Sequence, residues 1–339
     1  METILITGGA GFLGSHVARQ LVGMGYRVVI YDSFVQYVSP LESAYQAAMD
    51  DRFKDLLDQV TVIRGDTANK ADLRRCVVAY RPNRIIHLAA LPIADLSNVH
   101  SEEALNTIVY GTVNVLETIR DVEFVERFVY ASSSMVYGDF QYAPADEEHP
   151  KSPKEIYGGS KLAGEIMTQS FARRFDIPYT IVRPSALYGP TDVNLRVSQI
   201  FLENALAGRE LILHNGGTSR LDFTYVTDAA EGFVLAAFAS AAENEVFNIT
   251  RGEGRSLIEY AEILRDHFPD LQTIEQPADV VRPERGALDI SKARKLLGYE
   301  PKVALEEGLQ LYVDYVRGGM IGQPQMDWGY DSIIASLPR

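Results

Sequence analysis

The chain opens with a short strand-forming run, Thr3-Ile4-Leu5-Ile6, that stops at a glycine-rich turn, Thr7-Gly8-Gly9-Ala10-Gly11-Phe12-Leu13-Gly14. An apolar run without polar alternation describes a strand buried on both faces, as in parallel sheets. Helical spacing follows through Leu13, Val17, Leu21 and Met24, and a second run, Arg27–Tyr31, ends at Asp32. The pattern then recurs. Strand-like runs occupy Val60–Arg64, Arg84–Leu88, Arg127–Ala131, Tyr179–Arg183 and Glu245–Ile249, with helical stretches between them. Parallel neighbours need crossovers, and crossovers are right-handed, so the alternation predicts an α/β fold with a doubly wound parallel sheet.

After Pro190 the character changes. Val197–Leu206, Leu257–Phe268 and Leu305–Tyr315 read as helices, and Leu211–Leu213 and Phe223–Val226 as short strands. A smaller C-terminal lobe is therefore expected. The division is 1–186 for the first domain with a return segment near 220–250, 187–219 and 251–317 for the lobe, and 318–339 for a tail holding the only tryptophan, Trp328. Residues 37–58 form a helical-looking insertion between the second and third strands.

Composition narrows the partners. Net charge is −14 over 339 residues. That argues against bulk binding to nucleic acid or to an anionic membrane, both of which need basic surface. The one cysteine, Cys76, permits neither an internal disulfide nor a thiolate metal cluster and reads as packing. No metal site is expected. The strand pattern begins without a basic leader or long apolar span, so the expected location is cytoplasmic.

Three motifs stand in order along the chain: the glycine-rich turn, then Ser132-Ser133-Ser134-Met135-Val136-Tyr137-Gly138, then Tyr157-Gly158-Gly159-Ser160-Lys161. A tyrosine and a lysine four apart on a helix share a face. Together the motifs resemble those of the extended short-chain dehydrogenase/reductases, in the NAD-dependent nucleotide-sugar epimerase/dehydratase branch that includes UDP-glucose 4-epimerases. The resemblance runs from residue 1 to about residue 317. It implies a Rossmann-type sheet with a C-terminal α/β substrate lobe, and a homodimer paired through two helices from each chain. The candidates are the helices following Ser97 and Tyr157, with Val109, Val113, Leu116, Ile166 and Met167 either on the seam or facing the sheet.

Gly8, Gly11 and Gly14 fit a turn that brings backbone amides against a pyrophosphate at a helix N-terminus, with Phe12 and Leu13 beside them. Asp32 stands where a carboxylate accepts the adenosine ribose hydroxyls and repels a 2′-phosphate, and Ser33-Phe34 offers no cation for that phosphate. NAD is the expected cofactor. By the resemblance, Asp66 and Thr67 meet the adenine end, Leu88, Ala89 and Ala90 line the cofactor, and Lys161 holds the nicotinamide ribose beside Tyr157. His87 reads as a packed strand residue. Tyrosine is a poor base at neutral pH with its ordinary value near 10. Positive charge from Lys161 and the oxidised nicotinamide would lower it, making Tyr157 the general base and Ser133 the hydroxyl that holds the reacting oxygen.

The positions after Ser133 bear on the reaction. In the family's 4,6-dehydratases an Asp-Glu pair follows, in UDP-glucuronate decarboxylases a glutamate, and in 3,5-epimerases and fucose synthases a cysteine stands nearby. Here Ser134 and Met135 occupy the ground, and methionine exchanges no proton. The expected substrate is a nucleotide-diphosphate sugar and the expected reaction 4-epimerisation through transient oxidation at C4. A 4-ketoreductase or 4,6-dehydratase on the same triad is the alternative, and a non-catalytic NAD-binding regulator the third reading. The candidate substrate contacts are Ser134, Met135, Ala186, Arg220 and Arg282. Ala186 replaces an asparagine of the family's R-P-x-N-x-Y-G-P, Arg220 is displaced by one residue, and Arg282, with Arg285 close behind, is the diphosphate candidate. Gly286 falls where a bulky residue limits the C2 substituent in some relatives.

Overall fold

The computed structural model describes residues 1–35, 43–91, 94–277 and 282–318. Trp328, with the tail beyond residue 318, and residues 37–42 of the insertion lie outside them. The chain alternates strand and helix as far as β6: β1 (Thr3–Thr7), α1 (Phe12–Gly23), β2 (Arg27–Asp32), α2 (Ser43–Phe53), β3 (Val60–Arg64), α3 (Lys70–Tyr80), β4 (Arg84–His87), α4 (Ala94–Val99), α5 (Ser101–Ala104), α6 (Gly111–Ile119), β5 (Arg127–Ala131), α7 (Ile156–Phe175) and β6 (Tyr179–Pro184). It continues through β7 (Leu187–Tyr188), α8 (Val197–Leu206), β8 (Leu211–His214), β9 (Arg220–Asp222), β10 (Thr224–Tyr225), α9 (Val226–Phe238), β11 (Glu245–Ile249), β12 (Gly254–Ser256), α10 (Leu257–His267), β13 (Thr273–Gln276), α11 (Ser291–Leu297) and α12 (Leu305–Arg317).

Seven strands form one parallel sheet in the order β11-β6-β5-β4-β1-β2-β3. This is the Rossmann-type doubly wound order, reversing between β1 and β4. The two-residue period of a strand sends its side chains to opposite faces. Ile4, Ile6, Val28 and Ile30 join α1 and α9 in one core, with Val17, Leu21 and Phe233. Leu5, Val29, Ile85 and Phe128 join α3 and α6 in the other, with Leu73, Val77, Val115 and Leu116. Both faces are covered, which is why the runs read as apolar throughout. Cys76 is buried in the second core. A third core, around Tyr188, Phe201, Tyr260, Leu309 and Tyr312, belongs to the smaller C-terminal lobe.

Two local expectations shift. The strand expected over Phe223–Val226 is shorter, β10 covering only Thr224–Tyr225, and Val226 already begins α9. On α6 and α7, Leu116 is wholly buried against the sheet and so faces no partner, and Met167 is partly buried on the same core. Ile166 is 53% exposed and Tyr110 61%. Lobe edges are closed by short pairs, β12 antiparallel to β9 and β13 parallel to β8. Ser256 caps α10 reciprocally with Glu259.

Candidate active site

The strand ends converge on one cleft. Gly8 follows β1, Asp32 ends β2, Gly65 and Asp66 follow β3, Leu88 follows β4, Ser132 follows β5 and Pro184 ends β6, and all of them line it. A doubly wound sheet places its ligand site at these carboxyl ends. Gly11, Phe12, Leu13, Gly14, Thr67, Ala89, Ala90, Tyr157 and Lys161 line the same cleft.

The glycine turn is a cradle that side chains would fill. Gly8 has φ +71°, and a Cβ there would lie 2.7 Å from the Ala89 nitrogen. At Gly14 a Cβ would collide with the Gly8 carbonyl. The Asp32 carboxylate accepts the Ala10 N–H at 3.0 Å and the Phe34 N–H at 2.8 Å. Burial pushes its pKa up, while those amides and the Arg52 guanidinium pull against that. Closely packed amides, a strand-end carboxylate and no room for a Cβ fit a dinucleotide whose adenosine ribose lacks a 2′-phosphate.

Behind the cleft, α7 presents Tyr157 and Lys161. Gly158 lets the helix start lie on the Met135 carbonyl, since a Cβ there would come within 2.6 Å of it. The buried Lys161 Nζ donates to the Ala131 carbonyl at 2.7 Å and stands 5.8 Å from the Tyr157 ring centre. Burial lowers the Lys161 pKa to about 7, with Glu165 working the other way. For Tyr157, burial raises the pKa, and the Arg196 guanidinium and the Ser133 hydroxyl lower it. In the polypeptide, then, Arg196 is a further cation acting on Tyr157, besides Lys161 beside its ring. Nothing in the sequence pattern singled out Arg196. The loop after β7 brings it to the cleft, where it pairs with Asp192 at 2.6 Å and lies 5.7 Å from the Phe12 ring centre.

A buried polar network fixes the floor. Arg183 on β6 donates to Glu165 on α7 at 2.8 and 2.7 Å and to the Tyr137 hydroxyl at 2.9 Å. Glu165 also accepts the Ser132 hydroxyl. Such a pair adds geometry more than stability, because removing either partner strands the other charge. Tyr137 is thereby a support residue, wholly buried. His87 is one too: its ring bonds Thr7 at 2.6 Å and Thr112 at 3.1 Å.

The expected substrate contacts are less unified. Ser134 is buried, 3.1 Å from the Ser185 hydroxyl, and the Met135 N–H bonds the Ser133 hydroxyl at 3.2 Å. Ala186 has φ +36° and its carbonyl accepts the Thr224 N–H. Asparagine tolerates that left-handed region better than alanine, so this chain keeps the bend without the residue best suited to it. Arg220 is half-exposed and committed to the Gly254 carbonyl and Glu259. Arg282 pairs with Asp95 at 3.3 Å. Neither arginine is on the wall of the cofactor cleft.

The profile of the NAD dependent epimerase/dehydratase family matches residues 4–250. The chain belongs to that family. Its cofactor is NAD, for which the glycine cradle and Asp32 are suited. Proteins similar in sequence and structure carry different reactions in their names. A mouse (Mus musculus) dTDP-D-glucose 4,6-dehydratase is 30% identical, across 93% of this chain and 89% of that one. The UDP-glucose 4-epimerase of Thermotoga maritima, crystallised with UDP-glucose, is 30% identical with a TM-score of 0.84, across 94% and 99% of the two chains. The UDP-glucuronic acid 4-epimerase of Bacillus cereus, crystallised with UDP-glucuronic acid and NAD, is 28% identical with a TM-score of 0.85, across 93% and 99%.

Proposed function

We propose that this chain is a nucleotide-sugar 4-epimerase. One observation carries the reading: Tyr157, Lys161 and Ser133 stand together, while Ser134 and Met135 occupy the places where the family's dehydratases hold an acid and a base. Bound NAD supplies a hydride acceptor and donor. The residues do the rest. Tyr157 takes the proton of the sugar 4-hydroxyl and later returns it. The Ser133 hydroxyl bonds the same oxygen and steadies the developing charge. Lys161, fixed by the Ala131 carbonyl, holds the cofactor ribose, and Arg196 adds the positive potential that a phenolate needs.

Elimination across C5 and C6 would need a further proton donor and acceptor beside those carbons. Ser134 is spent on Ser185, and methionine offers no proton. The likeness to the dehydratase therefore does not decide the reaction. The segments 187–219 and 251–317 are the proposed sugar-nucleotide lobe, with Ala186 at its hinge, and Arg220 and Arg282 retained as diphosphate candidates once their present partners are exchanged. At Gly286 a Cβ would meet only ordinary contacts, Ala143 at 3.6 Å and Phe140 at 3.9 Å. The site is proposed to act in the cytoplasm as a homodimer; among the described residues no helix is long and apolar enough to cross a membrane.

The test is incubation with UDP-glucose, UDP-glucuronic acid and dTDP-glucose in deuterated water, followed by proton NMR. Inversion at C4 with no deuterium at C5 is expected. Deuterium at C5, or a stable 4-keto-6-deoxy product, assigns the dehydratase reaction instead.

A further inference from the structure

The helix inserted between β2 and β3 carries a buried cation for which the reaction has no use. Arg52, on α2, is 4% exposed. Its Nη1 donates to the Ala10 carbonyl at 3.1 Å and its Nη2 to the Thr191 carbonyl at 2.6 Å. The two acceptors belong to different segments beside the cofactor cleft. Ala10 lies in the glycine turn. Thr191 lies in the loop after β7 that delivers Asn194 and Arg196 to the cleft, and Arg52 itself is on the wall.

The last turn of α2 is also tied to α1 and α12. The Arg52 carbonyl accepts from Arg19 on α1 at 3.1 Å, and Asp51 accepts the Tyr315 hydroxyl of α12 at 3.0 Å. Thr191 holds φ +71°, an uncommon conformation for a β-branched residue, and its carbonyl is thereby turned toward the guanidinium. A buried guanidinium is costly unless its donors are used, and carbonyls bonded to a charged donor make strong hydrogen bonds.

We propose that Arg52 is a positioning residue for cofactor retention. It bridges the glycine turn to the Thr191 loop, so bound NAD leaves only when both charge-assisted bonds open. Tyr315 serves the same strap from α12, through Asp51 beside Arg52. A strap of this kind suits an enzyme that must keep its reduced cofactor between two half-reactions, but the inference rests only on the NAD cleft and stands whatever the reaction proves to be.

The experiment follows the release of labelled NAD from the holoenzyme into an excess of unlabelled NAD. Arg52→Met is expected to release NAD ten- to a hundredfold faster than the parent chain. Arg52→Lys, which can keep one bond, falls between, and Tyr315→Phe gives a smaller acceleration. The melting temperature of the NAD-free protein is measured beside each rate. Unchanged release from Arg52→Met and Arg52→Lys overturns the proposal, and so does a lowered melting temperature with parental release, which would make the arginine purely structural. If Arg52→Met does not fold, Arg52→Lys and Tyr315→Phe decide: acceleration supports the strap, and parental release in both refutes it.

Discussion

Tyr157 and Lys161 are neighbours on one helix face, yet the polypeptide treats them in opposite ways. Burial raises the phenol and lowers the ammonium to about 7, which disfavours the charged form of both. The energetic problem of the site is therefore to keep positive charge near a phenolate inside a dry cleft. Arg196, clamped by Asp192, contributes part of that charge from a different element. Replacing Tyr157 with phenylalanine removes the proton carrier and little volume. Tyr157→Phe should bind NAD as before and lose roughly 10²–10⁴-fold in turnover, the usual worth of a positioned acid–base group. Steady-state rates with the cofactor content of the purified variant check it, and near-parental turnover would take Tyr157 out of the mechanism.

Among the elements, the turn between β1 and α1 has the least freedom. Gly8 is left-handed and pressed against the β4 end, so Gly8→Ala must move either the turn or Ala89. The variant should purify without NAD and show no rise in melting temperature on its addition; a parental rise would contradict the packing described. Elements of this kind were legible in the sequence. Arg127–Ala131 falls where its apolar run places it, because a strand buried on both faces leaves an unbroken signature, and the less buried edge strands Val60–Arg64 and Glu245–Ile249 also keep their expected bounds. The glycine spacing, Asp32 and the Tyr157–Lys161 pair were legible for the same reason: each motif is local. What escaped was long-range. Arg52 and Arg196 reach the cleft from a helix and a loop whose own patterns say nothing of where they point. Leu116, a seam candidate by its pattern, packs on the sheet, because one helix offers apolar residues to two sides and only the packed structure tells the sheet side from the free one.

For the whole molecule, assembly and acid stability follow from burial. Ile166 on α7 and Tyr110 just before α6 remain exposed on helices that pack side by side. A homodimer through this face should sediment as one species at micromolar concentration, and Ile166→Lys should shift it toward monomer; a monomeric parent chain would contradict the pairing. Burial holds His16 neutral, lowering its pKa from 6.5 to about 4, and His87 to about 3. The unfolded chain takes up these protons near pH 6.5 and the folded one does not, so stability is lost as pH falls from about 6.5 toward 4. The melting temperature should drop steadily over that window, and a flat profile would show that the rings are solvated. The proposed reaction is best tested at the carbon where it occurs. A nucleotide sugar deuterated at C4, converted without added cofactor, should give the C4 epimer with its deuterium still at C4. Loss of that deuterium to solvent, or its appearance at C6, would contradict 4-epimerisation by hydride return.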